Sequence, residues 1–241
     1  MDVKQAKELY ALRKLCETDL KALCKDILGM TDWQSPLHDE LAFELQHKDK
    51  QKLILMPRGH FKSSIATVGW AIQKILQNQN VRILITNAVW DKARDFLRQI
   101  SGYLTDKSLL PDIYGQFDGP RSKFTQDEIT IAQRKKGTIK EPTITSAGIE
   151  RALTGGHYDI IIHDDLVEEN NVGTKDQIEK VRRFYENSLD LLDPGGIMVV
   201  IGTRWAVSDL YGHLMETQMN TLNGKPVSAE QRIKWRELLK S

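Results

Sequence analysis

The sequence predicts an α/β fold in which a mainly parallel sheet is sandwiched by helices. Short apolar runs recur along the chain, at Lys52–Met56, Val81–Thr86, Asp159–His163 and Ile197–Ile201. Stretches of helical periodicity follow three of them, near 62–77, 90–104 and 175–192. The runs are also short and uniformly apolar, as expected of strands covered on both faces.

Taken in order, residues 3–28 read as one helix, because Leu9, Leu12, Leu15, Leu20, Leu23 and Ile27 recur at spacings of three to five, and Gly29 suits its end. Pro36 precedes a second helix carrying Leu37, Leu41, Phe43 and Leu45, and His47-Lys48-Asp49-Lys50 is a polar connection. The first apolar run ends at Pro57. Pro194-Gly195-Gly196 supplies the turn into the last run. The stretch 117–145 reads as extra β-structure, with short alternating pieces at Thr130–Ala132 and around Ile139, Pro142 and Ile144. Beyond about 206 the chain turns polar and helical, as a lid or the start of a linker.

Bulk properties narrow the function. The chain has 241 residues, 40% hydrophobic and 28% charged, enough for one large domain with a sizeable core. Its net charge is +1, so the whole-chain balance does not mark it for a polyanion. A nucleic-acid binder of this kind needs a local patch or a ring of subunits, and Arg134-Lys135-Lys136 is the local candidate beside its plainer reading as a solvated loop. Cys16 and Cys24 sit in one helical pattern, too far apart to bridge and without His or Cys partners at metal spacing; they read as free thiols. No apolar run spans a membrane and no signal peptide opens the chain, so no membrane partner and a cytosolic location are expected.

The chemistry gathers at three places. Pro57-Arg58-Gly59-His60-Phe61-Lys62-Ser63-Ser64 lies between a buried strand and a helix, where unpaired backbone N–H groups favour an anion. Lys62 is placed to reach β- and γ-phosphates, and the Ser63 hydroxyl to ligate Mg²⁺. Both standard glycines of such a loop are replaced, by Met56 and Phe61. The second place is the end of the run Asp159–His163, where Asp164 is assigned to the metal and Asp165 to orienting water; turn or helix-capping aspartates are the alternative. The third is Gly202-Thr203-Arg204-Trp205, where the Thr203 hydroxyl at a strand end senses the γ-phosphate and Arg204 relays the change. Together these residues point to ATP hydrolysis with Mg²⁺.

The ordered set resembles the ATPase half of the phage terminase large subunit, over about 30–212. It joins Pro-Arg-Gly-His-Phe-Lys-Ser-Ser, an apolar strand ending His-Asp-Asp-Leu-Val, and Val-Ile-Gly-Thr-Arg-Trp. The resemblance implies a P-loop NTPase core of the ASCE type at 51–205, an N-terminal helical segment at 1–50 and a lid or linker at 206–241. It casts Arg58 as the arginine of the lysine loop and Thr203 as the coupling residue. It also implies a trans-acting arginine near Thr154 and Gly155, for which Arg151 is the candidate beside its reading as a surface arginine. An adenine-contacting segment lies upstream, where Gln34 and His38 qualify. Where terminases often carry Glu, this chain has Asp165, one methylene shorter; Glu168 and Glu169 are the fallback acids.

The activity implied is translocation of double-stranded DNA into a procapsid by a homo-oligomeric ring, with portal protein and small terminase subunit as partners, in the host cytoplasm. A monomer is compatible with the isolated chain. Terminases join this ATPase to a C-terminal nuclease built on metal-binding acids; none follows Trp205, so an ATPase-only fragment without nuclease activity is expected. Two other readings stand beside this one. One is a helicase-like P-loop motor, which needs a second motor domain. The other is a non-catalytic DNA- or capsid-binding module with a degenerate loop, which the missing glycines favour.

Overall fold

In the computed structural model, which describes residues 2–135, 139–151, 155–222 and 225–226, all four apolar runs become strands. They are β1 (Gln51–Leu55), β2 (Ile83–Asn87), β6 (Tyr158–Asp164) and β7 (Leu192–Gly202). Between β2 and β6 the chain adds β3 (Lys123–Phe124), β4 (Glu128–Thr130) and β5 (Ile144–Gly148). These seven form one sheet in the order β1-β7-β6-β2-β5-β4-β3. The five strands from β1 to β5 in that order run parallel, and β4 and β3 close the far edge antiparallel. At the other edge β1 is outermost among the described residues, with a groove of about 450 Å³ along it lined by Leu37, Leu41, Leu53, Leu55 and Met56.

Side chains alternate across the strands and so build two cores. Ile83, Ile85, Ile160, Ile162, Val199 and Ile201 point to one face. There they meet α1 (Val3–Thr18), α2 (Leu20–Ala22), α3 (Leu37–Gln46), α4 (Trp70–Gln77), α5 (Trp90–Thr105) and α6 (Leu110–Tyr114). Leu84, Ile161, Met198 and Val200 point to the other face, against α7 (Lys175–Leu189) and α8 (Leu210–Asn220). A small hairpin, β8 (Thr221–Leu222) with β9 (Lys225–Pro226), follows α8. Cys16, Leu20 and Leu23 from the N-terminal segment share one apolar cluster with Ile65 and Trp70. Among the described residues no helix is long and apolar enough to cross a membrane.

Four sequence expectations change. The helix expected over 3–28 is broken at Asp19, which takes extended backbone (φ −120°) and caps α2 by accepting the Ala22 N–H at 2.9 Å. The chain then runs through a π-helical turn, Leu23–Ile27. Within α1, Leu12 and Leu15 stay about 40% exposed. Secondly, Pro194-Gly195-Gly196 does not turn the chain into β7 but lies inside it, as a bulge. Tyr158 pairs with Leu192 while Ile160 pairs with Ile197, so the extra β7 residues loop outward. Gly195 supplies φ 85°, and a Cβ on Gly196 would stand 2.9 Å from the Asp159 carbonyl oxygen. Arg82 clamps the bulge, bonding Asp159 at 2.7 and 3.1 Å and also Asp193.

Thirdly, α7 ends at Leu189, since Leu192 already belongs to β7. Finally, part of the supposed peripheral β-region belongs to the centre. Ile144 begins β5, a strand of the parallel sheet, whereas Ile139 and Pro142 lie outside strands. Its sequence, Ile-Thr-Ser-Ala-Gly, is too weakly apolar to announce a buried strand.

Candidate active site

β1 delivers the chain to the carboxyl edge of the sheet. The Met56 N–H bonds the Gly202 carbonyl at 3.0 Å, extending the ladder with β7, and the loop 57–61 then turns into a helix. Two residues of the loop have left-handed backbone, Gly59 at φ 76° and Phe61 at φ 56°. The helix starts at residue 62, passes through a π-helical segment Ser64–Gly69 and continues as α4. Its first turn carries Lys62, 6% exposed although charged.

β6 brings the acids. Asp164 is fully buried, and both its oxygens accept hydroxyl protons: Ser63 Oγ donates to Oδ1 at 3.0 Å and Thr67 Oγ1 to Oδ2. Asn87 Nδ2 holds the Asp164 carbonyl at 2.7 Å. Burial, with the neighbouring Asp165 charge, pushes the Asp164 carboxyl up to about 6 against the pull of Thr67, Ser63 and Lys62. Asp165 has left-handed backbone (φ 47°), fixed by its N–H to Ile201 O at 2.8 Å and by Ala88 N–H to its carbonyl at 3.3 Å. Its Oδ2 accepts from Lys62 Nζ at 3.2 Å, while its Oδ1 is buried without a hydrogen-bond partner.

An ammonium, a hydroxyl and two carboxylates from separate segments therefore converge within single hydrogen bonds. Two strained non-glycine residues, Phe61 and Asp165, lie on either side of that junction. The donor set suits a hard cation: Ser63 Oγ and Asp164 are oxygen ligands, and the unpartnered Asp165 Oδ1 leaves acceptor capacity turned inward. Among the described residues no group of three or more His, Cys, Asp or Glu forms a self-sufficient metal cage. Mg²⁺ needs none, since one or two carboxylates with waters and phosphates complete its octahedron.

The remaining expected residues fall at graded distances. Thr203 Oγ1 donates to the Met56 carbonyl at 2.9 Å, so the end of β7 touches the base of the loop. The Arg58 guanidinium stacks over the Trp205 ring, 4.2 Å from its centroid, and Arg204 is exposed. Glu168 is buried and paired with Lys92 of α5, while Glu169 is exposed in a 3₁₀ turn. His38 is fully buried with both ring nitrogens engaged inside the chain, so in this structure it offers nothing to a base; the Gln34 side chain is exposed. Arg151 is exposed at the end of β5, its guanidinium 5.8 Å from the Trp90 ring that also stacks Arg94 at 3.7 Å. β5 stands four strand spacings from β1, roughly 19 Å at about 4.8 Å each. Thr154 lies outside the described residues. Of the basic triplet, Arg134 folds back onto the Glu141 carbonyl, and Lys136 is outside the described residues.

Three contributors were missed. Thr67 was legible in principle, four residues after Ser63 and so on the same helix face. Asn87 carries no sequence signal, and Trp205, though part of the Gly-Thr-Arg-Trp motif, had no role assigned, because each acts through a strand end that only the sheet order brings near.

A parallel sheet whose strand–loop–helix unit presents Lys62 and Ser63 to an aspartate pair is the P-loop NTPase fold. No family model matches the chain. It is 24% identical over 184 residues to the terminase large subunit of Enterobacteria phage T3, an alignment covering 74% of this chain and 30% of that protein. Its fold is similar to the large terminase of bacteriophage HK97 (TM-score 0.55, 11% identity), covering 78% of this chain and 37% of that one. It also aligns with the bacteriophage Phi-29 viral genome packaging motor assembly (TM-score 0.47, 10% identity), over 72% of this chain and 49% of that one. In sequence the chain thus resembles the phage terminase large subunit, with a fold to match, and spans about a third of these proteins' length.

Proposed function

We propose that the chain hydrolyses ATP as the motor part of a phage DNA-packaging machine. The observation that carries this reading is the meeting of Lys62 with Asp165 at 3.2 Å and of Ser63 with Asp164 at 3.0 Å, at the carboxyl edge of a parallel sheet. Residues 57–64 cradle the triphosphate with the helix N-terminus and the backbone N–H groups of 58–64, Pro57 having none to give. Lys62 leaves Asp165 for the β- and γ-phosphates. Ser63 and Asp164 would hold Mg²⁺, which when bound would neutralise charge on the phosphate oxygens. Asp165, freed of the ammonium, orients water through its buried Oδ1. It is preferred over Glu168 because Lys92 already occupies the latter. Positioning and electrostatics supply the rate, with no covalent intermediate.

In the same reading Thr203 and the Arg58–Trp205 stack report the nucleotide state to α8, and Gln34 serves the base. Arg151, exposed just past β5 and four strands from β1, serves a neighbouring subunit's site in a ring. Translocation of double-stranded DNA, with portal and small-subunit partners in the host cytoplasm, follows from the likeness to terminases. Calorimetric titration with Mg-ATP, then turnover measurement, tests the proposal. Wild-type protein should bind, and Lys62→Ala should cut turnover roughly 100-fold or more. A concentrated wild-type sample that takes up no nucleotide would sink it.

A further inference from the structure

We infer that His38 is a positioning residue that replaces the glycine missing from the loop, by holding Phe61 in left-handed backbone. The inference deepens the proposed function, since it rests on reading 57–64 as the phosphate loop, but its structural core does not need nucleotide.

Phe61 occupies the place where such loops carry glycine, and it takes φ 56°. For a residue with a Cβ that conformation is disfavoured by about 5- to 30-fold. Something must hold it. The bond that does so joins the loop to α3: His38 Nε2 lies 2.9 Å from the His60 carbonyl oxygen. The direction of that bond is fixed by the other nitrogen, because Nδ1 accepts the Gln34 N–H at 2.8 Å, leaving Nε2 to carry the proton and donate. The His60 carbonyl belongs to the peptide plane whose nitrogen is that of Phe61. Pinning the carbonyl orients the plane, and that orientation constrains φ of Phe61.

The rings add a second hold. Phe61 lies 6.2 Å from the His38 ring, and Trp33 meets His38 edge-on at 5.7 Å, so the phenyl that costs backbone freedom also packs. His60 braces the loop locally, donating from its Nδ1 toward the Arg58 carbonyl at 2.9 Å. Lys62 follows directly, and the Phe61 carbonyl accepts the Ile65 N–H at 3.3 Å, so the same pin sets where the helix begins and where the ammonium points.

Two measurements test this on the full chain. Backbone chemical shifts of nucleotide-free protein should report left-handed Phe61 in the wild type and its loss in His38→Ala. Persistence of that signature in His38→Ala overturns the inference whether or not the protein binds ATP. Nucleotide affinity then closes a cycle. His38→Ala should weaken Mg-ATP about 5- to 30-fold beside Phe61, but less than about 3-fold in a Phe61→Gly background, where the left-handed backbone is unhindered. Equal losses in both backgrounds would contradict it. Should His38→Ala fail to fold, His38→Leu, which keeps bulk but carries no donor, takes its place in both measurements, with the same outcomes deciding. A wild type that binds no nucleotide would refute the functional reading and leave the backbone measurement to decide this one.

Discussion

Two adjacent residues of β6 set an electrostatic balance that no motif announces. Asp164 is buried among hydroxyls, its carboxyl pushed up to about 6 by burial. His163 faces the opposite core, accepting from Thr86 Oγ1 at 2.6 Å and donating to Ser188 Oγ, and burial drives its imidazole down to about 3. The raised carboxyl contributes stability below about 3.8 that is lost as pH rises through about 6. The depressed imidazole contributes stability above about 6.5 that is lost as pH falls through about 3. Between about 3.8 and 6 the slopes oppose, so nucleotide-free protein should show little pH dependence from this pair. Asp164→Asn should unmask the histidine slope, making stability climb with pH across that window, and should raise stability near pH 8 while destroying Mg-nucleotide binding. Denaturant titrations at pH 4, 6 and 8 check it; a flat profile in Asp164→Asn would contradict a depressed, neutral His163. Lys62, Ser63 and Asp164 were legible because their chemistry is local to a motif. The engagement of His38 was not, since it depends on a carbonyl in a segment 22 residues away.

At the level of elements, periodicity located helices and strands but not their irregularities. Two π-helical segments, Leu23–Ile27 and Ser64–Gly69, touch where Gly69 meets Cys24. A Cβ on Gly69 would collide with the Cys24 sulfur, which is itself fully buried. Burial pushes that thiol up to about 12, so it packs as an apolar group. Gly69→Ala should therefore cost about 1–3 kcal/mol and lower Tm by several degrees, roughly 2–4 °C per kcal/mol for a chain of this size. Adding Cys24→Ala should recover most of the loss. Unchanged melting of Gly69→Ala would show that the two segments can part freely. Such close approaches, like the bulge at Pro194–Gly196, arise from what faces an element across space, and periodicity along the chain does not encode them.

For the whole molecule, the sheet order decides which residues can serve one site. Strand order was not legible: that β7 separates β1 from β6, and that β5 lies beyond β2, follows from pairings between residues up to 147 apart. This order puts Thr203 at the loop and Arg151 just past β5, four strands from β1, where the proposed function has it serve a neighbour. Mixing subunits tests the consequence. Lys62→Ala and Arg151→Ala chains should each be nearly inactive, with the arginine worth roughly 10³–10⁵ in turnover. Their mixture should regain activity, because one chain lends its arginine to the intact loop of the other; an inactive mixture would exclude exchange between neighbours. The outermost position of β1 has a mechanical corollary. Among the described residues its backbone ladder has a single partner strand, so in the proposed motor the sheet side of the loop passes strain through β7 to Thr203, Trp205 and the foot of α8. In the proposed motor a nucleotide grip carried on a border strand would transmit work as a lever with one arm, and softening that arm should uncouple fuel consumption from movement without slowing the chemistry.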